Sequence, residues 1–286
     1  MLYEIQNNHI TITGSASSDR FIEIPDRIDG LAVTELAPYA FSGSALEEII
    51  LPKTVTKIGK YAFYNCARLH RICFFNTMQD LGGGVFTGCH AVQSIDVTFL
   101  QGHTSILREF LIDLPEEIHV SFHMEDGEAS LLFPEYFEES VENTPARILE
   151  IHTHGSGMLY RNCFVHKELD FQKYDSYFQN ACAREFPETL FLLAAKRLQF
   201  PYRLNEQAKE RYLAFLRAHL TECAAWAGRS KDPDILLLLA RQCADTPSAW
   251  EKLIAEAGKR QLTETLSILM QEKHSRFGAR KKRFTL

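Results

Sequence analysis

His152 and His154, which are separated by one residue, have the residue types and spacing most suggestive of a chemical site in this sequence. On a strand, this spacing places two imidazoles on the same side, an arrangement found among zinc ligands. No third ligand can be identified nearby in the sequence, so a strand end running into Gly155-Ser-Gly157 is the simpler interpretation. A metal-dependent enzyme or regulator that uses His152 and His154 is kept as an alternative hypothesis.

Other candidate nucleophiles and loops lack the partners that their chemistry needs. Ser156 lies between two glycines but lacks the wider frame of a nucleophile elbow. Cys163 and His166 have no third group to orient them. The glycines at 82–84 are not followed by the Lys-Ser/Thr of a phosphate loop. We therefore predict no enzyme, no catalytic residue, no cofactor and no metal site.

Charge is unevenly distributed along the chain. The net charge is −3 over residues 1–99, −10 over 100–185 and +7 over 186–286. The acidic run at 135–142 lacks the spacing of a calcium loop and is typical of a solvated face. The basic tail Arg280–Arg283 and the basic helical region could contact phosphate backbones, which is a second alternative. Because the chain is acidic overall and has no nucleic-acid module, a frayed basic end is the simpler interpretation.

Composition points to a soluble protein. The chain of 286 residues is 45% hydrophobic and 24% charged, and it contains no apolar run long enough to span a membrane. The seven cysteines lack a C-x-x-C pair and are expected to be reduced thiols. The start of the sequence has no basic and apolar leader pattern, so we expect a cytoplasmic protein.

An internal repeat of about 23 residues dominates the first third of the chain. Three copies share an aromatic position and a branched aliphatic position, and two of the copies share a cysteine. The matching positions are Phe41, Phe63 and Phe86; Ile49, Ile72 and Ile95; and Cys66 and Cys89. Each copy is typical of one coil of a solenoid, because a single coil cannot bury these side chains without its neighbours. The two cysteines are then expected to be stacked, buried thiols.

The repeat resembles the BspA-like class of bacterial leucine-rich repeats. The resemblance rests on Val33–Phe41 followed by Leu46–Pro52, on Val55–Phe63 followed by Leu69–Phe74, and on the third copy Met78–Phe86. The entry turn Ile24–Val33 and a preceding hairpin at 3–12 extend it over residues 1–98. The resemblance implies a right-handed coil with a parallel sheet that binds proteins or surfaces.

Strand alternation predicts which side chains of the coil face outward. If Ile49, Ile72 and Ile95 point inward, their neighbours point out. The predicted partner-binding residues are Glu48, Ile50, Arg71, Cys73, Phe75, Ser94 and Asp96. Ile50, Cys73 and Phe75 would form an apolar patch that is either a binding site or covered by another part of the chain.

The remaining two thirds predict a cap and a helical region. Residues 106–114 are typical of a helix, and 118–122, 129–133 and 146–151 of strands. Six helices follow at 171–184, 187–199, 205–227, 233–244, 247–259 and 262–277. Asp232 and Thr246 precede prolines as helix N-caps, and Gly228 and Gly258 lie where helices should end.

The predicted fold class is α+β. A short leucine-rich-repeat β-solenoid is expected at 1–99, an acidic α+β capping segment at 100–165 and an all-α helical domain at 166–286. The predicted function is a non-catalytic scaffold that binds an unknown protein partner on the concave face of the repeats, on the helical domain, or on both.

Overall fold

The computed structural model describes residues 1–15, 19–143, 148–230 and 232–278, without the side chains of residues 142, 143 and 148–150. The chain forms two compact units. Unit 1 comprises Met1–Glu185 and Phe200–Leu204, and unit 2 comprises Phe186–Gln199 and Asn205–Leu286. The division predicted from the sequence, at 99 and 165, stays a prediction.

The strands that the structure describes in unit 1 form two main sheets and two hairpins. In chain order they are β1 (Leu2–Gln6), β2 (His9–Gly14), β3 (Phe21–Glu23), β4 (Arg27–Ile28), β5 (Leu31–Leu36), β6 (Glu48–Ile50), β7 (Lys57–Ile58), β8 (Arg71–Phe75), β9 (Asp80–Leu81), β10 (Ser94–Thr98), β11 (Ile118–Met124), β12 (Gly127–Phe133), β13 (Tyr136–Asn143), β14 (Ile148–Gly155), β15 (Phe164–Val165) and β16 (Glu168–Leu169). The first sheet has the order β1-β2-β5-β7-β9, with β4 on β5, and the second has the order β12-β11-β10-β8-β6-β3.

The repeats form a β-solenoid of about five turns, which confirms the predicted fold class. Strands from successive copies lie side by side in parallel register, so that Ile49 pairs with Ile72 and Ile72 with Ile95. All three isoleucines are fully buried. Burying a side chain of this size stabilises a fold by about 1.5–3 kcal/mol, so the repeated positions supply much of the core.

A column of aromatic rings runs through the coils. Phe41 stacks on Phe63 and Phe63 on Phe86, each with ring centroids 5.5 Å apart and with planes within 5°. Beside this column, the buried Cys66 thiol donates to the Phe41 carbonyl and the Cys89 thiol to the Phe63 carbonyl, both at 3.0 Å. The cysteines are therefore stacked, buried thiols, as the repeat predicts.

The glycines at 82–84 are explained by the coil. A Cβ at Gly82 would lie 2.3 Å from the backbone nitrogen of Lys60 in the coil before. Gly84 has φ +64°, and Tyr61, its equivalent one coil earlier, has φ +58°. The third copy uses glycine where the backbone of the coil is close-packed or left-handed.

The segment after the repeats caps the array and extends its sheet. Helix α1 (Leu107–Asp113) places Phe110 against Phe74, with ring centroids 4.3 Å apart, and against Phe86, at 5.3 Å. Strand β11 then pairs in parallel with β10, and β12 returns antiparallel to β11. The predicted helix and the first two predicted strands are confirmed. Residues 146 and 147 of the third lie outside the described residues, and β14 begins at Ile148.

Within the described ranges, three further short helices belong to unit 1 and six helices belong to unit 2. Those of unit 1 are α2 (Gly157–Arg161), α3 (Phe171–Ser176) and α4 (Phe178–Cys182); those of unit 2 are α5 (Pro187–Gln199), α6 (Glu206–Ala218), α7 (Leu220–Ser230), α8 (Pro233–Gln242), α9 (Pro247–Lys259) and α10 (Thr263–Phe277). Asp232 accepts a hydrogen bond from the Ile235 amide and Thr246 from the Ala249 amide, so both predicted N-caps are confirmed.

Two predicted helices are interrupted. The helix expected at 171–184 is divided at Tyr177, and the one expected at 205–227 is divided at His219. The backbone of His219 leaves the helical region, at φ −113° and ψ 28°. The expected stop at Gly228 is wrong, because this glycine lies inside α7, where a Cβ would come 2.9 Å from the Glu256 side chain.

Candidate partner-binding strip

The seven predicted partner-binding residues lie on one face of the second sheet. Paired positions place Glu48, Arg71 and Ser94 in one row and Ile50, Cys73 and Asp96 in the next. Phe75 lies in a third row, beside Thr98. These seven residues are called the outer strip below. Their inward neighbours are buried, whereas all seven are partly exposed.

Arg71 is the centre of an ion-pair network. Its Nη1 donates to Glu48 Oε1 at 2.9 Å, and its Nε donates to Asp96 Oδ2 at 2.8 Å. The hydrogen bond to Asp96 raises the pKa of the Arg71 guanidinium further above its usual range. Since its side chain is 42% exposed, Arg71 is both held in place by two carboxylates and accessible to solvent.

The network continues onto strands that the repeat does not predict. His123 on β11 places Nε2 3.5 Å from Asp96 Oδ1, and places Nδ1 3.7 Å from Glu128 Oε1 on β12. A continuous series of charged and titratable groups therefore crosses five neighbouring strands diagonally, from Glu48 to Glu128. Sequence reasoning missed His123 and Glu128. The alternation at 118–122 predicted a strand, but nothing in the sequence showed that this strand would pair with β10.

Cys73 occupies the middle of the outer strip. Its Sγ lies 3.6 Å from Asp96 Oδ2. Burial, followed by the charge of Asp96, raises the pKa of the Cys73 thiol to about 12. The thiol is therefore protonated at neutral pH and is a poor nucleophile.

Ile50 and Phe75 supply the apolar part of the outer strip. Ile50 pairs with Cys73, and Phe75 pairs with Thr98, which in turn pairs with His123. Strand β11 of the capping segment joins the edge of the same sheet, beside β10, and both Ile50 and Phe75 remain partly exposed. The outer strip is thus extended by the cap.

The alternative chemical residues are placed differently. His152 and His154 lie on the same face of β14, opposite Glu139 and Phe137 of β13. His154 Nε2 is 3.2 Å from Glu139 Oε2. No group of three or more His, Cys, Asp or Glu side chains that could hold a metal ion occurs among the described residues.

Cys163 is a buried thiol rather than an exposed one. It donates to the Leu159 carbonyl at 3.5 Å, and burial raises its pKa to about 12. His166 lies in the turn between β15 and β16. The Ser156 hydroxyl is buried without a hydrogen-bond partner among the described residues. The basic tail Arg280–Arg283 lies outside the described residues.

A comparison with protein-family models agrees with the repeat. Residues 19–110 match the family described as "BspA type Leucine rich repeat region (6 copies)". A solved structure with similarity is that of a leucine rich cell surface protein from Faecalibacterium prausnitzii A2-165. It is 20% identical, with 43% of this chain and 41% of that chain covered and a TM-score of 0.32, so the chain spans less than half of that protein's length. No curated protein matches the chain.

Residues 19–110 are therefore a BspA-type leucine-rich repeat region, and the resemblance inferred from the sequence is confirmed. The presence of a repeat region of this class suggests a protein-interaction scaffold, and proteins of the class are generally non-enzymatic. Among the residues that the structure describes, no helix combines the length and the apolar character needed to cross a bilayer.

Proposed function

We propose that the protein is a non-catalytic scaffold whose outer strip binds a protein partner. The observation that carries this proposal is the series of ion pairs from Glu48 through Arg71, Asp96 and His123 to Glu128, which lies beside the half-buried Ile50 and Phe75. An apolar contact bordered by fixed, hydrogen-bonded charges is typical of protein interfaces. Because two carboxylates already hold Arg71 in one orientation, its side chain loses little conformational entropy when a ligand binds.

A pull-down with matched variants tests this proposal. The variant Arg71→Glu/Phe75→Asp removes the central cation and the largest apolar side chain of the outer strip. The control variant Lys57→Glu/Tyr39→Asp makes the same kinds of change at exposed positions on the other side of the coils. We expect quantitative mass spectrometry to find that only the outer-strip variant loses partners. Equal recovery by both variants and the wild type would count against the outer strip.

A second surface, on unit 2, is favoured by a specific observation. Helices α9 and α10 form a groove lined by Ile254, Met270 and Phe277, with the ion pair Lys273–Glu251 at 2.8 Å on its rim. Met270 is 55% exposed. An apolar groove between two helices fits an amphipathic helix of a partner. Met270→Glu is the variant that tests this surface separately.

A cytoplasmic location belongs to the same proposal. It is supported by the seven cysteines, none of which is in a disulfide in the structure. Fractionation of cells that express the protein, with detection by antibody, tests the location. Recovery in the extracellular or envelope fraction would contradict it.

A further inference from the structure

As far as the described residues show, the hairpin formed by β13 and β14 is a two-stranded sheet. Eight residue pairs connect the strands, from Tyr136 with Gly155 to Asn143 with Ile148. Within the described residues, neither strand has a second neighbour. A two-stranded sheet is marginally stable in water, and its outer edges present unpaired amide and carbonyl groups to any strand that approaches.

The base of this hairpin is held firmly. Tyr136 is buried, its amide donates to the Pro115 carbonyl at 3.0 Å, and the Arg161 guanidinium lies 4.9 Å from its ring centroid. A Cβ at Gly155 would lie 2.5 Å from the Glu135 carbonyl oxygen. The two strands therefore leave the core at a fixed position.

Beyond the base, both faces of the hairpin are open. Residues 137–141 and 151–154 are exposed. Phe137, Val141 and Ile151 are 56%, 39% and 64% exposed, although they are side chains of the kind that strands usually bury. Apolar side chains on both faces of an unpaired sheet indicate a surface that a further strand would complete.

Charge selects the occupant. Glu138 and Glu139 are consecutive on β13 and point to opposite faces, and Phe137 and Val141 share a face with Glu139. A second copy of β13 would place these carboxylates against their own kind, which is unfavourable for cross-strand pairs. We propose that β13 is a docking edge for an extended, basic segment of a protein partner.

The pattern on β13 also defines the sequence of that segment. An antiparallel strand meets Val141, Ser140, Glu139, Glu138 and Phe137 in turn. Its complement is an apolar residue, a small polar residue, two consecutive cations and an apolar residue. A probe with the core Val-Thr-Lys-Lys-Val satisfies this pattern. Its backbone pairs with β13. One lysine then lies beside Glu138 on one face of the sheet, and the other lies beside Glu139 on the opposite face.

The test measures binding of three fluorescent peptides to the full chain by anisotropy. The first carries the core Val-Thr-Lys-Lys-Val. The second replaces threonine by proline, which keeps the charge and disrupts strand pairing. The third replaces both lysines by glutamate. We expect the first peptide to bind and to slow amide exchange at residues 137–141, and the other two to bind at least about fivefold more weakly.

Variants of the protein distinguish the hairpin from other acidic surfaces. Glu138→Lys/Glu139→Lys should weaken binding of the first peptide at least about fivefold. The control Glu4→Lys/Asp80→Lys makes the same charge change at exposed positions on β1 and β9 and should leave binding unchanged. The outer-strip variant Arg71→Glu/Phe75→Asp should also bind normally, since this edge is separate from the outer strip.

Three results would overturn the proposal. One is equal binding of the proline and threonine peptides, which would indicate charge attraction without strand pairing. Another is an equal loss of binding in the Glu4→Lys/Asp80→Lys control. The third is that no peptide binds but the wild type self-associates, and Glu138→Lys/Glu139→Lys changes this self-association. The occupant of the edge would then be a second copy of the chain.

Discussion

Burial changes the acid–base behaviour of two side chains in unit 1, Cys73 and Asp113. Cys73 and Asp113 both lie at partly exposed positions, yet burial raises the pKa of each. In each case the uncharged form is favoured in the folded chain. Because the folded structure causes both pKa changes, a substitution at each residue can test them separately.

Cys73 should react slowly with alkylating reagents. With a pKa of about 12, only about one thiol in ten thousand is ionised at pH 8. We expect iodoacetamide to modify the exposed Cys182 well before Cys73, as followed by peptide mass spectrometry. Asp96→Asn removes the nearest carboxylate and should speed the reaction of Cys73, whereas Glu128→Gln should not. Modification of Cys73 as fast as Cys182 would contradict this assignment.

Asp113 should make the fold less stable at neutral pH than an asparagine would. Burial raises the pKa of this carboxyl, although it accepts a hydrogen bond from the Phe86 amide at 3.1 Å. The folded chain thus binds this proton more tightly than the unfolded chain, and the resulting stability is lost as the pH rises through the folded pKa. Asp113→Asn keeps the acceptor without the charge.

Thermal unfolding at two pH values checks this expectation. At pH 7 we expect Asp113→Asn to raise the Tm by about 1–3 °C, and at pH 3 we expect the difference to disappear. A variant that is less stable than the wild type at pH 7 would show that the charged carboxylate contributes favourably.

The residues of the outer strip could be predicted because alternation along a strand is a local property. Ile49, Ile72 and Ile95 fixed the inward face, and the seven neighbours followed. The partners of Arg71 could also be anticipated from the repeat, since Glu48 and Asp96 lie 23 and 25 residues away in adjacent coils. His123 could not, because its position depends on a strand pairing outside the repeat.

At the scale of elements, the stacked rings should make unequal contributions to stability. Phe63 has an aromatic neighbour on each side, whereas Phe41 stacks on Phe63 alone among the described rings. We expect Phe63→Ala to cost about 3–5 kcal/mol of unfolding free energy and Phe41→Ala about 1 kcal/mol less. Tyr64→Ala, at a partly exposed ring, should cost less than about 1 kcal/mol.

Hydrogen exchange is the appropriate measurement for these variants. Both tryptophans, Trp226 and Trp250, lie in unit 2, so tryptophan fluorescence does not report on the coils. The free energy is instead read from exchange in peptides covering β6, β8 and β10. Equal costs for Phe63→Ala and Tyr64→Ala would contradict a stacked core.

Arg161 connects the end of one helix to the start of a hairpin. Its fully buried guanidinium donates to the carbonyls of Leu111, Leu114 and Glu116 at 2.7 Å, and to Pro134 at 2.5 Å. Burial lowers its pKa to about 10, which leaves it charged at pH 7. The carbonyls in the last turn of an α-helix have no partner within the helix, and this side chain supplies a donor to Leu111 in that turn and to Leu114 just after it.

Removal of Arg161 should therefore be costly. We expect Arg161→Met to destabilise unit 1 by about 3–5 kcal/mol, because several buried carbonyls lose their donor. Arg161→Lys keeps a charge and up to three donors, and should fall between Met and the wild type. Hydrogen exchange in α1 and β13 measures both, and a Met variant as stable as the wild type would contradict this role.

The elements differed in how well the sequence predicted them. Asp232 and Thr246 marked helix starts because capping is local. The breaks at Tyr177 and His219 occur without proline or glycine, so no local signal revealed them. The pairing of Ile95 with Val120, 25 residues later, crosses a segment in which α1 replaces the return of the coil. The 23-residue period therefore could not predict the final strands of the sheet.

At the scale of the whole molecule, the assignment as a scaffold depends on where a partner touches the chain. The coils present two sides: the sheet with the outer strip, and the side formed by β5, β7 and β9, where Tyr39 is exposed in the turn after β5. A partner that binds to Arg71 and Phe75 contacts the side that carries the outer strip. Composition and repeats predicted the class of protein, but the contacted side depends on pairings and exposures that only coordinates provide.

Site-specific photo-cross-linking tests this assignment most directly. A photoreactive phenylalanine analogue is introduced at position 75 or, in a matched protein, at position 39, and the adducts formed in the native cell extract are identified. We expect a protein adduct from position 75 and none from position 39. An adduct from position 39 with none from position 75 would contradict the account, because the partner would then contact the side of the coils that faces away from the outer strip.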